Sequence, residues 1–488
     1  MVFSVGALYR AIPEILIHTY PAGFETIAYY APRMVELRDA GPQETFRHLA
    51  SGLTFYLLMW LVLHMTDASV FVILKVTGPI LYGLLAASYL FFLRKGLGFD
   101  SRVCLTATLI CVSLPICMRI GWDRFMNMMG LIPLFLALGL LGCKGKTRGD
   151  WYAIAVLCLM ALLSRELIAS VIQAALTGYF IQAKEERRYM IPILVSCYGA
   201  FFILILPWLG IRFFSRDERF LAVPDPAKDA CFLPILFNYL PEGFSIGSYI
   251  ELCRRIVLLF AYAYLPIVPL AIKGAFRSRL MDLMVIWLLV GGVINPLAFP
   301  IASIPYFQRW QTLLVFPFCA YVAKSLSWMI KVTHTSLLGI HRNKVLLLAI
   351  PYMIFGILYS SGLVFYESEW FPPNLVQSSI GIDQIDDCIK CVKWLNENAA
   401  NRSCLIIEER FRGWVLLYMD RKDIKIALYV APSSEVPTSM SGFERAYYTA
   451  VRAGFEIVYL IWYSEETHIN RFSEVFKCGN IAVYSYKA

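Results

Sequence analysis

Apolar residues in this chain come in long runs separated by short charged stretches. The runs fall at approximately 2–17, 49–65, 69–93, 103–118, 125–142, 151–163, 167–183, 190–211, 256–272, 280–300, 311–330 and 345–365. A run of about 20 apolar residues can cross a bilayer as a helix, because a helix satisfies its own backbone polar groups. The pattern predicts a polytopic α-helical membrane domain over 1–365, built from most or all of these segments. After 366–380, which is loop-like with Pro372-Pro373 and Ser378-Ser379, the period changes. Helix 383–399, strand 404–408, helix 411–419, strand 425–430, helix 442–453, strand 456–462, helix 469–477 and strand 481–486 follow, which reads as a small α/β domain over 366–488.

Two stretches break the regular pattern. The run 2–17 has no basic start, and Pro13-Glu14 stands where a small-residue cleavage site would be expected, so it reads as a retained segment rather than a signal peptide. The runs 151–163 and 167–183 meet at Ser164-Arg165-Glu166. Arms this short place the charged corner within or near the bilayer.

Composition narrows the function classes. Of 488 residues, 59% are hydrophobic and 16% charged, with mean hydropathy +0.61, more apolar surface than one soluble core can bury. A large soluble enzyme is excluded. The thirteen cysteines are scattered, several inside apolar runs (Cys111, Cys117, Cys158), and the pair Cys388 and Cys391 has no second pair to complete a metal site. His48, His64, His334 and His341 show no metal-ligand spacing, so no metal ligand is assigned and the cofactor stays open.

The net charge of +9 is unevenly placed: 366–488 holds 13 Lys and Arg against 16 Asp and Glu, and the rest of the chain 31 against 19. A basic excess confined to the apolar part points to membrane lipids and orientation signals, not to nucleic acid. Loops 94–102, 144–150, 184–188, 273–279 and 331–344 carry 15 Lys and Arg in 42 positions, whereas 18–48, 119–124, 164–166, 212–255 and 301–310 carry 13 in 94. The first set is expected on the cytoplasmic side of a multi-pass cell-membrane protein, which places the loop 18–48 and the C-terminal domain outside. Alternation then requires that 49–65 or part of 69–93 be interfacial or re-entrant, and 49–65 is the better candidate. A glycosylation sequon, Asn401-Arg402-Ser403, agrees with an outside location.

Four places could carry chemistry. The first outer loop, 18–48, is rich in polar-ligand groups, densest at Pro21-Ala-Gly-Phe-Glu25-Thr26 and followed by Tyr29, Tyr30 and Arg33. Glu25 is the leading candidate for a general base, and an ordinary solvated loop charge is the alternative. The second place is Arg119-Ile-Gly-Trp122-Asp123-Arg124 with Asn127, the third Arg165-Glu166, and the fourth Tyr306, Gln308, Arg309 and Trp310. Each is explained equally by interfacial anchoring or by neighbouring charges that neutralise each other. Arg119, Arg124, Arg165 and Arg309 are all assigned to the outer side, where a lipid phosphate leaving group would need cations.

The order of these features resembles the GT-C superfamily of membrane glycosyltransferases, and in particular is similar to archaeal dolichyl-phosphate-mannose-dependent protein mannosyltransferases. The residues that carry the resemblance are Ile12-Pro13-Glu14, Pro21 to Thr26 with Tyr29-Tyr30, Arg119 with Trp122-Asp123-Arg124 and Asn127, Arg165-Glu166, Arg309-Trp310, Trp394-Leu395-Asn396 and Arg412-Gly413-Trp414. It implies a GT-C-like fold and inverting transfer of a sugar from a polyprenyl (dolichyl) phosphate to a protein or lipid-linked glycan. Glu25 would be the base. Arg119, Asp123, Arg124, Arg165, Glu166 and Arg309 would lie around the donor phosphate, and Tyr29, Tyr30 and Trp414 would be acceptor or loop contacts. Some members of the superfamily use a divalent cation. Two positions depart from the pattern: relatives usually have Asp where Glu25 stands and commonly His where Arg165 stands. A base displaced by one methylene can be ineffective, so a catalytically inactive relative acting as a binding module is a competing reading. A lipid-linked substrate transporter or flippase is another, suggested by the short arms around 164–166.

Overall fold

The computed structural model describes residues 1–39, 52–206, 219–229, 231–233, 235–240, 243–275, 279–332, 344–366, 371–429, 442–464 and 472–487. Of the expected features, residues 40–48 of the first outer loop, most of the basic loop 331–344 and the end of the run 190–211 lie outside the described residues. The chain is a multi-pass membrane protein, mostly helical, that ends in a small mixed sheet flanked by helices.

Among the described residues, Val70–Gly96, Lys184–Ile205, Leu280–Ala298 and Phe307–Lys331 are long and apolar enough to cross a membrane as single helices. Two bent pairs bring the total to six. Ser101–Ser113 and Pro115–Asp123 meet at 67° where one run, 103–118, was expected. Leu114 is extended there because the residue before a proline avoids the helical region, and Pro115 then opens the next helix. Ile246–Tyr264 and Val268–Gly274 meet at 72°. The first of these begins ten residues earlier than the apolar run 256–272, because a capping box between Ser245 and Ser248 starts it inside the expected loop 212–255.

The remaining apolar helices are short. Leu53–Met65 has 13 residues, about 20 Å of helix against a hydrocarbon layer of about 30 Å. Its first turn meets the charged corner, with Thr54 donating its hydroxyl to the Met160 carbonyl at 3.0 Å. Arg148–Leu162 and Glu166–Gln182 are the two short arms, separated by Leu163, Ser164 and Arg165.

The first helix, Val2–Ile17, packs along Val70–Phe91 and carries a buried ion pair, Arg10 with Glu14, one turn apart. Arg10 also donates to the Gly121 carbonyl (3.1 Å) and the Ala22 carbonyl (3.0 Å), and Glu14 accepts from the Ala22 amide (2.9 Å). Charges buried in an apolar bundle must be paired and fully hydrogen-bonded. Here the pairing pins the first loop to its own helix and to Pro115–Asp123.

In the C-terminal part, five strands are named β1 (Cys404–Glu408), β2 (Lys425–Tyr429), β3 (Ile457–Tyr463), β4 (Ser473–Cys478) and β5 (Ile481–Lys487). Their order is β2-β1-β3-β5-β4, parallel at β2-β1-β3 and antiparallel at β3-β5-β4. The helices Ile385–Asn398, Arg412–Tyr418 and Gly442–Arg452 accompany them. The expected helix 469–477 is corrected: 473–478 is strand β4, and 469–471 lie outside the described residues. The reason is Gly479-Asn480, a two-residue turn with Gly479 at φ +54° that folds β4 back onto β5.

The edge of β2 is covered from the membrane part. Ile426 donates to the Arg219 carbonyl (2.8 Å) and accepts from Leu221 (2.9 Å), an isolated parallel bridge between residues 219–221 and the sheet edge. On its other side the C-terminal part touches the first loop at Gly413, where an added Cβ would stand 2.0 Å from the Ile27 carbonyl oxygen.

Two stability outcomes follow. Gly413→Ala forces the first loop and the helix Arg412–Tyr418 apart at a cost of about 1–3 kcal/mol, read as a lower thermal unfolding midpoint of the detergent-solubilised protein. Arg10→Leu leaves Glu14 buried without its counter-charge and costs about 3–5 kcal/mol by the same assay, and adding Glu14→Gln recovers a large part of that loss.

Candidate functional site

The first loop turns sharply after Ile17 and runs to Glu25, which opens a π-helical turn, Thr26–Tyr30, continuing into Ala31–Asp39. Gly23 is at φ +107°, and a Cβ there would lie 2.7 Å from Cβ of Asp123 and 2.9 Å from the Trp122 carbonyl oxygen. Only glycine allows the loop to lie this close to the end of Pro115–Asp123. The Gly23 amide donates to the Gln377 carbonyl (2.9 Å), and Trp122 Nε1 donates to the Leu375 carbonyl (3.0 Å), so residues 375–377, ahead of the helix Ile385–Asn398, brace the loop from behind.

Asp123 is fully buried and holds two groups in place. One oxygen accepts the Glu25 backbone amide at 3.1 Å, and the other pairs with Arg119, whose guanidinium also lies 5.0 Å from the Trp122 ring. The Glu25 side chain, 13% exposed, accepts from Arg309 Nη2 at 3.2 Å. Arg309 in turn stacks 4.6 Å from the ring of Tyr306, which adopts φ +60° at the start of Phe307–Leu313. Arg165 pairs with Glu166 at 3.3 Å.

All four arginines named from the sequence act on one carboxylate. Burial pushes the Glu25 carboxyl up, but Arg309, then Arg124, Arg165 and Arg119, outweigh it and hold the group below its ordinary value. Residues 25, 119, 124, 165 and 309 are thus brought together, with Asp123 and Glu166 as counter-charges.

Among the described residues, three of the four guanidiniums pair with a carboxylate: Arg309 with Glu25, Arg119 with Asp123 and Arg165 with Glu166. Arg124, 8% exposed, donates to the Thr312 hydroxyl at 3.2 Å, and its Nε has no hydrogen-bond partner among the described residues. A buried guanidinium without a carboxylate is unfavourable unless an anion joins it.

The aromatic residues divide by role. Tyr30 is fully buried, stacked on Phe125 at 5.2 Å. Trp414 is also fully buried, donating to Ser379 Oγ at 2.9 Å and meeting Tyr20 edge-on at 5.0 Å. These two hold the loop in place. Tyr29 is stacked under the Arg412 guanidinium at 4.5 Å, which brings a charged residue of the C-terminal part to the cluster. Glu409 is next to it: burial pushes its carboxyl up, Arg412 opposes this and Glu25 adds to it.

Sequence reasoning missed Arg10, Thr312 and Glu409. An i,i+4 Arg-Glu pair inside the apolar run 2–17 was the available signal for Arg10, and Thr312 and Glu409 had none. A divalent cation does not fit the donor set: Glu25 and Asp123 already accept from guanidiniums, and four arginines surround them. Among the described residues no three His, Cys, Asp or Glu side chains cluster as metal ligands.

No protein-family model matches the chain, and no curated protein matches it. Among solved structures it is similar to ArnT from Cupriavidus metallidurans bound to undecaprenyl phosphate, with a TM-score of 0.52 and 10% identity over 99% of this chain and 97% of that one. The apo state of the same protein gives a TM-score of 0.48 at 10% identity, over 98% and 97%. At this identity the likeness concerns the fold, and over nearly the whole length of both chains this protein has the GT-C-like polytopic architecture expected from the order of its motifs.

Proposed function

We propose that the protein is a GT-C-type glycosyltransferase that moves a sugar from a polyprenyl phosphate carrier to a protein or lipid-linked glycan acceptor at the outer membrane face, with inversion at the anomeric carbon. The observation that carries this reading is Arg124, buried beside the Arg309–Glu25 pair and without a carboxylate partner among the described residues. Such a cation suits a phosphate anion, and the fold is one in which a solved structure holds undecaprenyl phosphate.

In this reading Glu25 takes the proton of the acceptor hydroxyl as its oxygen bonds to the anomeric carbon, and the carbon–oxygen bond to the carrier phosphate breaks on the opposite side. The electron pair leaves with the phosphate, whose charge falls to Arg124, with Arg165 and Arg309 beside it. Glu25 bound to Arg309 is a weak base. A donor phosphate that draws Arg309 away would raise its basicity, so the base strengthens when the donor is in place. The C-terminal part, through Arg412 and Tyr29, supplies the acceptor side.

The same ion pair favours the competing reading, a catalytically inactive relative, if Arg309 never releases Glu25. Transfer of radiolabelled sugar from a panel of polyprenyl-phosphate donors, in membranes carrying wild type or Glu25→Gln, decides between them. Transfer by wild type, reduced about 100-fold or more in the variant, is expected. No transfer by a correctly inserted wild type overturns the enzyme reading.

The pH profile tests the pairing. Because Arg309 and the other guanidiniums hold the Glu25 carboxyl of the donor-free protein below its ordinary value, kcat/KM, which reports the free enzyme, shows no acid limb from Glu25 between about pH 5 and 7. In Arg309→Gln the burial contribution is less opposed and the pKa rises. The residual activity should therefore fall as pH drops through that window.

A further inference from the structure

A cavity of about 450 Å³ lies far from the Glu25 cluster, lined by Phe99, Asp100, Lys324, Ser327, Trp328 and Lys331 among others. Two elements fix its distance. Along Phe307–Lys331, Arg309 pairs with Glu25, while Lys324 and Lys331 come 15 and 22 residues later, about 22 and 33 Å on at 1.5 Å per residue. The bent pair Ser101–Ser113 and Pro115–Asp123 ends at Asp123 in the cluster and begins beside Asp100, which caps it at the cavity. The separation is that of the hydrocarbon layer, so the cavity opens at the opposite membrane interface from Glu25.

Its chemistry suits an anion held at an interface. Lys324, Trp328 and Lys331 stand at i, i+4 and i+7 and share one helix face. The Lys324 ammonium lies 5.9 Å from the Phe99 ring, and Lys273 lies 5.5 Å from the Trp328 ring, which gathers three cations around two aromatic side chains. Arg94 and Lys95 are exposed at the end of the adjoining helix. Among the described lining residues the one carboxylate is Asp100, which accepts the Arg102 amide at 3.0 Å. Gly98, at φ +71°, has no described residue within 4 Å of where a Cβ would stand.

We propose that this cleft is a second binding site, separate from the transfer site, which takes a phosphate group, with an anionic phospholipid headgroup as the source that its interfacial position favours. It does not depend on the glycosyltransferase reading. The test is native mass spectrometry of the delipidated full-length protein titrated with phosphatidylglycerol, with phosphatidylcholine as the zwitterionic control and inorganic phosphate as competitor. Wild type is expected to bind phosphatidylglycerol about tenfold or more tightly than the Lys324→Gln/Lys331→Gln double variant. The Lys324→Arg/Lys331→Arg variant is expected to retain binding, and phosphatidylcholine binding should not change. Full displacement of the lipid by inorganic phosphate would keep the site and make its ligand soluble phosphate. Equal phosphatidylglycerol affinity of wild type and the glutamine variant, with unchanged thermal midpoints, would overturn the proposal.

Discussion

A charge inside an apolar helical bundle has to find its partner within the protein, and this requirement organises the end of the bundle around Glu25. Arg10 and Glu14 satisfy each other and, through Ala22 and Gly121, clamp the first loop. Asp123 satisfies Arg119 and the Glu25 amide. Glu25 can then be presented at a fixed height to Arg309, which arrives from a helix 284 residues further along the chain. Each link is inexpensive only because the next exists. A change at any of them leaves a buried charge alone, and such a penalty exceeds the cost of losing an ordinary contact.

Among the described residues the chain of pairings leaves Arg124 on a hydroxyl, that of Thr312, in place of a carboxylate. A second group of cations lies towards the other end of the helix Phe307–Lys331, bordered by aromatic rings.

Much of this was legible in the sequence because it is local. Most runs of apolar residues gave helices in the expected places, strand 404–408 is observed with the expected bounds, 425–430 over its described residues, and 456–462 one residue later. Each arginine of the cluster could be singled out because charge is conspicuous between apolar runs. Their meeting was not legible, since it depends on how helices separated by 40 to nearly 200 residues pack. Where local signals competed, the longer-range one won: 473–478 has residues acceptable to a helix, yet a two-residue turn and an available partner strand made it β4. Glu409 carried no mark at all, because what makes it notable is only its approach to a loop nearly 400 residues earlier.

The bridge between residues 219–221 and Ile426 also bears on how the molecule is made. The two sides of that pair are separated by about 200 residues of synthesis, which at 5–20 residues per second is about 10 to 40 s. During that interval several apolar helices must enter the bilayer while the 219–221 segment has no sheet to join. The sheet meets there a partner segment made long before it, so this contact closes only after the helices between have been made.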